Sequence, residues 1–203
     1  RRPPQSTLFP YTTLFRSVPT TPASWGNSAV KMDVTGSTPW RFTGFTFTDT
    51  STTNFDYLGA VHITGSVTGW RLDHIKFDNV NYRAGQVRTY GCEGLIDHIQ
   101  VIFDTPTTFT TSSGFYITTQ NPEAMWDKAT SLGAVDAVYV EDSVFYKGYA
   151  SNTGTAVDGE WGAKIVFRHN TTTNMGILVH GYEGNRSAMR FEAYENTDRK
   201  SVV

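Results

Sequence analysis

Short bursts of alternating hydrophobic and polar residues recur along this chain. The clearest is Trp70-Arg71-Leu72-Asp73-His74-Ile75-Lys76-Phe77-Asp78-Asn79-Val80, with a version before it at Trp40 to Asp49 and another after it at Leu95 to Val101. Weaker copies lie at Val138 to Phe145, Val166 to Thr171 and Phe191 to Thr197. Each burst is β-branched, aromatic and of period two, which is the pattern of a half-buried strand and not of a helix. One double-length gap aside, they recur at roughly 24 to 30 residues, the period of stacked repeat architectures. A single unit of this size cannot bury its own apolar face, whereas a stack of them can.

The residues before each burst repeat as well. Ala29 to Ser37 precedes Trp40, Ala60 to Ser66 precedes Trp70, and Val87 to Gly91 precedes Leu95. One repeat therefore holds a strand, a glycine-containing turn, a second strand with Asp-His or its equivalent, another turn and a third strand. Three short strands per coil predict an all-β chain folded as a right-handed parallel β-helix, truncated at both ends. Trp70-Arg71-Leu72-Asp73-His74 and Leu95-Ile96-Asp97-His98 resemble the Trp-Ile-Asp-His element of the pectate-lyase-like superfamily. The resemblance covers about residues 25 to 197. It implies the fold and a setting among polysaccharides, but the same fold serves lyases, hydrolases, viral spikes and adhesins.

Two stretches fall outside the repeat. Thr7 to Ser17 reads as a translated short-read sequencing adapter, and Asp198 to Val203 as the opposite strand of its last codons. Residues 1–17 and 198–203 are accordingly expected to be adapter-derived ends of a metagenomic fragment, around a β-helix domain over 18–197. The regular coiling is expected to break at Asp104 to Ala134, with a strand at Gly114 to Thr118 and one helical turn at Pro122 to Ala129. A second loop is expected over Tyr149 to Gly162.

The 203 residues suffice for one domain with a substantial core, and a net charge of -2 argues against a nucleic-acid binder. No membrane span is visible in the sequence. The single Cys92 excludes an internal disulfide and a cysteine-rich metal module, and is expected to be buried. His74, His98 and His169 share one place in the repeat and should form a ladder, because stacked identical positions lie side by side and do not converge on a metal. Asn170 and Asn196 also match, and predict an amide ladder.

Candidate chemistry lies on the first strand of each coil. Lys31, His62 and Arg88 take its outward polar position; by a looser alignment Tyr116, Asp158 and His180 take it further on. A column of basic groups suits a polyanion. In enzymes that resemble this fold, the corresponding sheet floors the sugar groove. Uronate β-elimination needs a neutralised carboxylate, a base and a proton donor for the leaving oxygen. His62, Arg88 and His180 are the candidate catalytic residues, with Lys31, Tyr116, Trp126 and Trp161 as substrate contacts. Asp158 and Glu160 are candidate Ca²⁺ ligands, since hard cations take oxygen donors. Glycoside hydrolysis ranks lower, because the adjacent aspartates and the Arg-Ile-Lys element of polygalacturonase-like members are missing. The sequence thus predicts an extracellular or cell-surface domain acting on or binding polysaccharide, a lyase on acidic glycans in its sharpest form. The competing class is a non-catalytic adhesin or phage tail-spike shaft.

Overall fold

Every described strand pairing but one isolated bridge is parallel, and strands three apart in sequence are neighbours. The structure, a computed structural model, describes residues 13–14, 30–34, 39–48, 59–65, 68–80, 87–104, 114–120, 130–148, 154–179, 181 and 187–199. These residues form strands β1–β19 in chain order and no helix. The first sheet holds β2 (Val30–Val34), β5 (Val61–Gly65), β8 (Val87–Tyr90), β11 (Gly114–Gln120), β14 (Gly154–Glu160) and β17 (Met175–Val179). The second holds β3 (Arg41–Thr43), β6 (Thr68–Asp73), β9 (Glu93–Asp97), β12 (Val138–Glu141), β15 (Lys164–Arg168) and β18 (Arg190–Tyr194). The third holds β1 (Thr13–Leu14), β4 (Phe45–Thr48), β7 (Lys76–Asp78), β10 (Gln100–Phe103), β13 (Val144–Lys147), β16 (Thr171–Thr173) and β19 (Thr197–Arg199). The chain gives one strand to each sheet in turn and then begins the next coil, so the protein is a parallel β-solenoid.

The period-two pattern becomes columns of matched side chains inside the coils. On the second sheet the inner column runs Phe42, Leu72, Ile96, Val140, Phe167, Ala193; on the third it runs Phe47, Phe77, Val101, Phe145 and then Thr172. Leu72, Ile96, Val140, Phe167, Phe77 and Phe145 are fully buried, and Phe47 stacks on Phe77 with ring centroids 5.1 Å apart. Trp70 is buried over Gly94, its partner on the next strand. A Cβ on Gly94 would come 2.4 Å from the indole, so only glycine fits there. Cys92 is buried, and burial pushes its thiol up to about 11.

The corner between the second and third sheets is one left-handed residue in each coil: Gly44, His74, His98, Asp142, His169 and Glu195, all with φ between 49° and 82°. The next residue turns inward. It is Phe45, Ile75 or Ile99 in the earlier coils, and Ser143, Asn170 or Asn196 in the later ones. Asn170 accepts the Ser143 N–H at 3.0 Å and donates to the Val140 carbonyl at 2.8 Å; Asn196 does the same for the Asn170 N–H and the Phe167 carbonyl, at 2.9 Å each. This is the amide ladder, and it buries Asn170.

Two expectations are adjusted. Residues 154–160 are not loop but β14, whose Gly154 to Gly159 are all buried, so no polar alternation advertises the strand. The tail residues are not all outside the coils: Thr13–Leu14 pair with β4, and Asp198 and Arg199 complete β19 against β16. The helical turn expected at 122–129 lies outside the described residues.

Candidate functional site

On the first sheet Val61, Ile63 and Val87 point into the core and are fully buried. Alternation therefore sends His62 and Arg88 to the outer face, and the register places Lys31, His62 and Arg88 on one column of adjacent strands. The column continues through Thr118, Asp158 and Leu178. Asp158 falls where the sequence pattern put it. Tyr116 sits two residues before the column position of β11, and on the last rung that position is Leu178, not His180. A register irregularity between Thr155 and Val157 shifts the count, and no simple spacing rule follows it. His180 and Trp126 lie outside the described residues.

A second outer column, two residues on, runs Asp33, Thr64, Tyr90, Gln120 and Glu160. Tyr90 is exposed, Arg88 is half-buried, and His62 and Asp158 are buried. The column is thus no uniformly solvated face. Asp158 and Glu160 lie on one side of β14 as two oxygen donors, but no group of three or more metal-ligating side chains forms among the described residues. Trp161 follows Glu160 at the corner leading into the second sheet, half-buried, with φ 47°.

A denser constellation stands on the second sheet, where sequence reasoning assigned no role. Arg41 grips Asp73 with two hydrogen bonds, Nε to Oδ2 at 2.5 Å and Nη2 to Oδ1 at 2.8 Å. One rung on, Arg71 grips Asp97 at 2.9 and 2.6 Å and also reaches Asp73 at 3.0 Å. Thr43 donates to Asp73 as well. Each aspartate meets the next residue's imidazole, His74 Nδ1 at 2.8 Å and His98 Nδ1 at 2.7 Å. The two rings stack with centroids 5.1 Å apart and 2° between planes. Burial alone would push the Asp73 carboxyl up, but hydrogen bonds from Arg41, Thr43 and His74 outweigh it and hold it at about 2.

His169 does not extend that pair, because Asp142 occupies the intervening rung; it meets Glu195 at 3.2 Å and Tyr194 edge-on. Arg168 pairs with Glu141 at 2.5 Å, bonds the Tyr194 hydroxyl at 3.0 Å and lies 5.2 Å from the Tyr139 ring centre. Further round, buried Arg190 donates to Thr130, the Ser131 and Ala134 carbonyls and Asp136, while buried Lys164 also pairs with Asp136. These two cations pin the connection into β12 against the sheet.

The Arg-Asp wall had a sequence signal: Arg41-Phe42-Thr43 and Arg71-Leu72-Asp73 alternate charge and hydrocarbon at one repeat position. The Arg190 clamp had none, because its partners lie more than fifty residues away. Chemically the two faces differ. The wall spends its charge on internal pairs, and the first sheet's column sets Lys31, His62 and Arg88 on three successive rungs. Among the described residues no helix is long and apolar enough to cross a membrane. Neither a family model, nor a curated protein, nor a solved structure matches this chain.

Proposed function

We propose that this solenoid is an extracellular or cell-surface domain that holds acidic, uronate-containing polysaccharide along the outer face of its first sheet. The register carries this reading: Lys31, His62 and Arg88 fall on successive rungs, about 4.8 Å apart. Basic groups at that spacing are mildly unfavourable on their own and suit the successive charges of an extended polyanion. Exposed Tyr90, beside Arg88, offers a ring to a sugar face.

The sharper form is a lyase. There Arg88 would neutralise the uronate carboxylate and His62 or His180 would take the proton from the adjacent carbon. That electron pair forms the C=C bond as the C–O bond to the leaving sugar breaks, and the leaving oxygen takes up a proton. Ca²⁺, if it serves, has Asp158 and Glu160 as oxygen donors. A non-catalytic adhesin or spike shaft is the second reading, and the internally paired wall of the second sheet favours it.

The test titrates the protein with polygalacturonate, alginate and neutral dextran, with and without Ca²⁺, while recording the ultraviolet absorbance of unsaturated products. The expected result is preference for the acidic polymers, weakening as salt rises. Replacing His62 and Arg88 together by Ala should lower affinity at least tenfold with the fold intact. Equal retention of acidic and neutral polymers, or an indifferent double variant, overturns the reading. Binding without unsaturated product leaves a binding domain and removes the lyase.

A further inference from the structure

Three of the corners that follow first-sheet strands take a left-handed residue. Thr64, Tyr90 and Glu160 share one register column, so the residues that follow them are equivalent. Two are glycines, Gly65 at φ 134° and Gly91 at φ 70°; the third is Trp161 at φ 47°. A bulky aromatic in a conformation suited to glycine is a genuine outlier. The same residue carries a second cost, since its indole Nε1 is buried with no acceptor among the described residues. Backbone strain of this kind persists where the surroundings enforce it, and it clusters at ligand sites.

Trp161 is half-buried. Two rungs back, on the column of the preceding residue Glu160, Tyr90 is 37% exposed. Two rungs correspond to about 10 Å along the stack. The corner thus carries two aromatic side chains, one on the column and one immediately after it, with Glu160 beside the second as a hydrogen-bond acceptor. Regularly repeated rings with apolar faces and hydroxyl edges match that arrangement, since Tyr and Trp combine an apolar body with a polar tip.

We propose that Tyr90 and Trp161 are paired stacking subsites for a glycan chain running parallel to the solenoid axis, taking sugar rings about two rungs apart. This deepens the polysaccharide reading and rests on it. It assigns the basic column to the charges of the polymer and the aromatic corner to the faces of its rings. Glycine at 161 would suit the backbone better than Trp and would remove the stacking face.

The full chain and its Trp161→Gly and Tyr90→Ala variants should be compared by thermal unfolding and by calorimetric titration with oligogalacturonates of increasing length. Trp161→Gly should melt no lower than the parent and bind at least tenfold more weakly. Tyr90→Ala should melt unchanged and bind several-fold more weakly, with an effect seen only for oligomers long enough to span both rings. If Trp161→Gly melts lower yet binds with parent affinity, the indole is a packing element and the proposal falls. If it unfolds, Tyr90→Ala decides, and undiminished affinity there overturns the pairing. A parent that binds no polysaccharide removes the underlying function. A parent whose binding depends on His62 and Arg88 but ignores both aromatic substitutions removes only the subsites.

Discussion

The corner between the second and third sheets is held in two ways. In the coils of Asp73 and Asp97 the residue turning inward is Ile75 or Ile99, and the polar restraint lies outside, where Arg41 and Arg71 grip the two aspartates and the aspartates hold His74 and His98. In the coils of Ser143, Asn170 and Asn196 the restraint moves inside, and side-chain amides bond the backbone of the preceding coil. Both keep a left-handed residue in place. The difference is one of tolerance: the outer ties end in half-exposed arginines that water can re-solvate, while the inner ties satisfy backbone groups that water does not reach.

Substitution at Asn170 should break the inner ties most severely. Asn170→Leu keeps the volume but leaves the Ser143 N–H and the Val140 carbonyl without that side chain. Two buried groups at about 1–3 kcal/mol each predict a loss of roughly 2–6 kcal/mol, measured by denaturant unfolding. A shift under about 1 kcal/mol would show that the inner ties are no stronger than surface contacts.

Asp73→Asn tests the outer ties, with an expected loss of about 1–3 kcal/mol at neutral pH. Its pH dependence has a definite sign. The Asp73 carboxyl titrates at about 2 in the folded protein against an ordinary 3.8, so its contribution is complete above 3.8 and fades as pH falls toward 2. The gap in stability between parent and Asp73→Asn should close over that window, read from unfolding midpoints at stepwise lower pH. A gap that stays constant down to pH 2 would mean that Asp73 acts by shape alone.

The inner ladder was legible in the sequence because Asn170 and Asn196 follow the same strand pattern at the same spacing. The column of Lys31, His62 and Arg88 was legible for the same reason, as each directly follows the valine that opens its strand, Val30, Val61 or Val87. Legibility failed where chemistry and pattern part company. β14 is buried on both sides, so residues 154–160 were expected as loop even though the repeat alignment set Asp158 on a first-sheet strand, and the last rung puts Leu178, not His180, on the column. The pairing of Arg41 with Asp73 spans a whole coil, and only the stacking brings the two together.

The smallest effect is expected at the last rung. Removing residues 198–203 takes away the Asp198 carboxylate that accepts from Thr172 at 2.9 Å and the Arg199 carbonyl that accepts from the Asn174 N–H at 3.1 Å. The rung is open to solvent, so water takes over much of this role, and the melting curve should move by no more than about 1 kcal/mol of stability. A larger loss would make the tail as integral as the amide ladder.

The register has a consequence for how such a chain can change. Asp97 and Glu141 are neighbours on adjacent strands, as are Asp73 and Asp97, although far more chain separates the first pair than the second. The extra length falls between strands, and the columns on either side keep their register. Growth along the axis and elaboration around it are therefore independent variables. A lineage can lengthen, shorten or replace what projects from the corners, and so alter what the surface meets, while the scaffold beneath keeps its alignment.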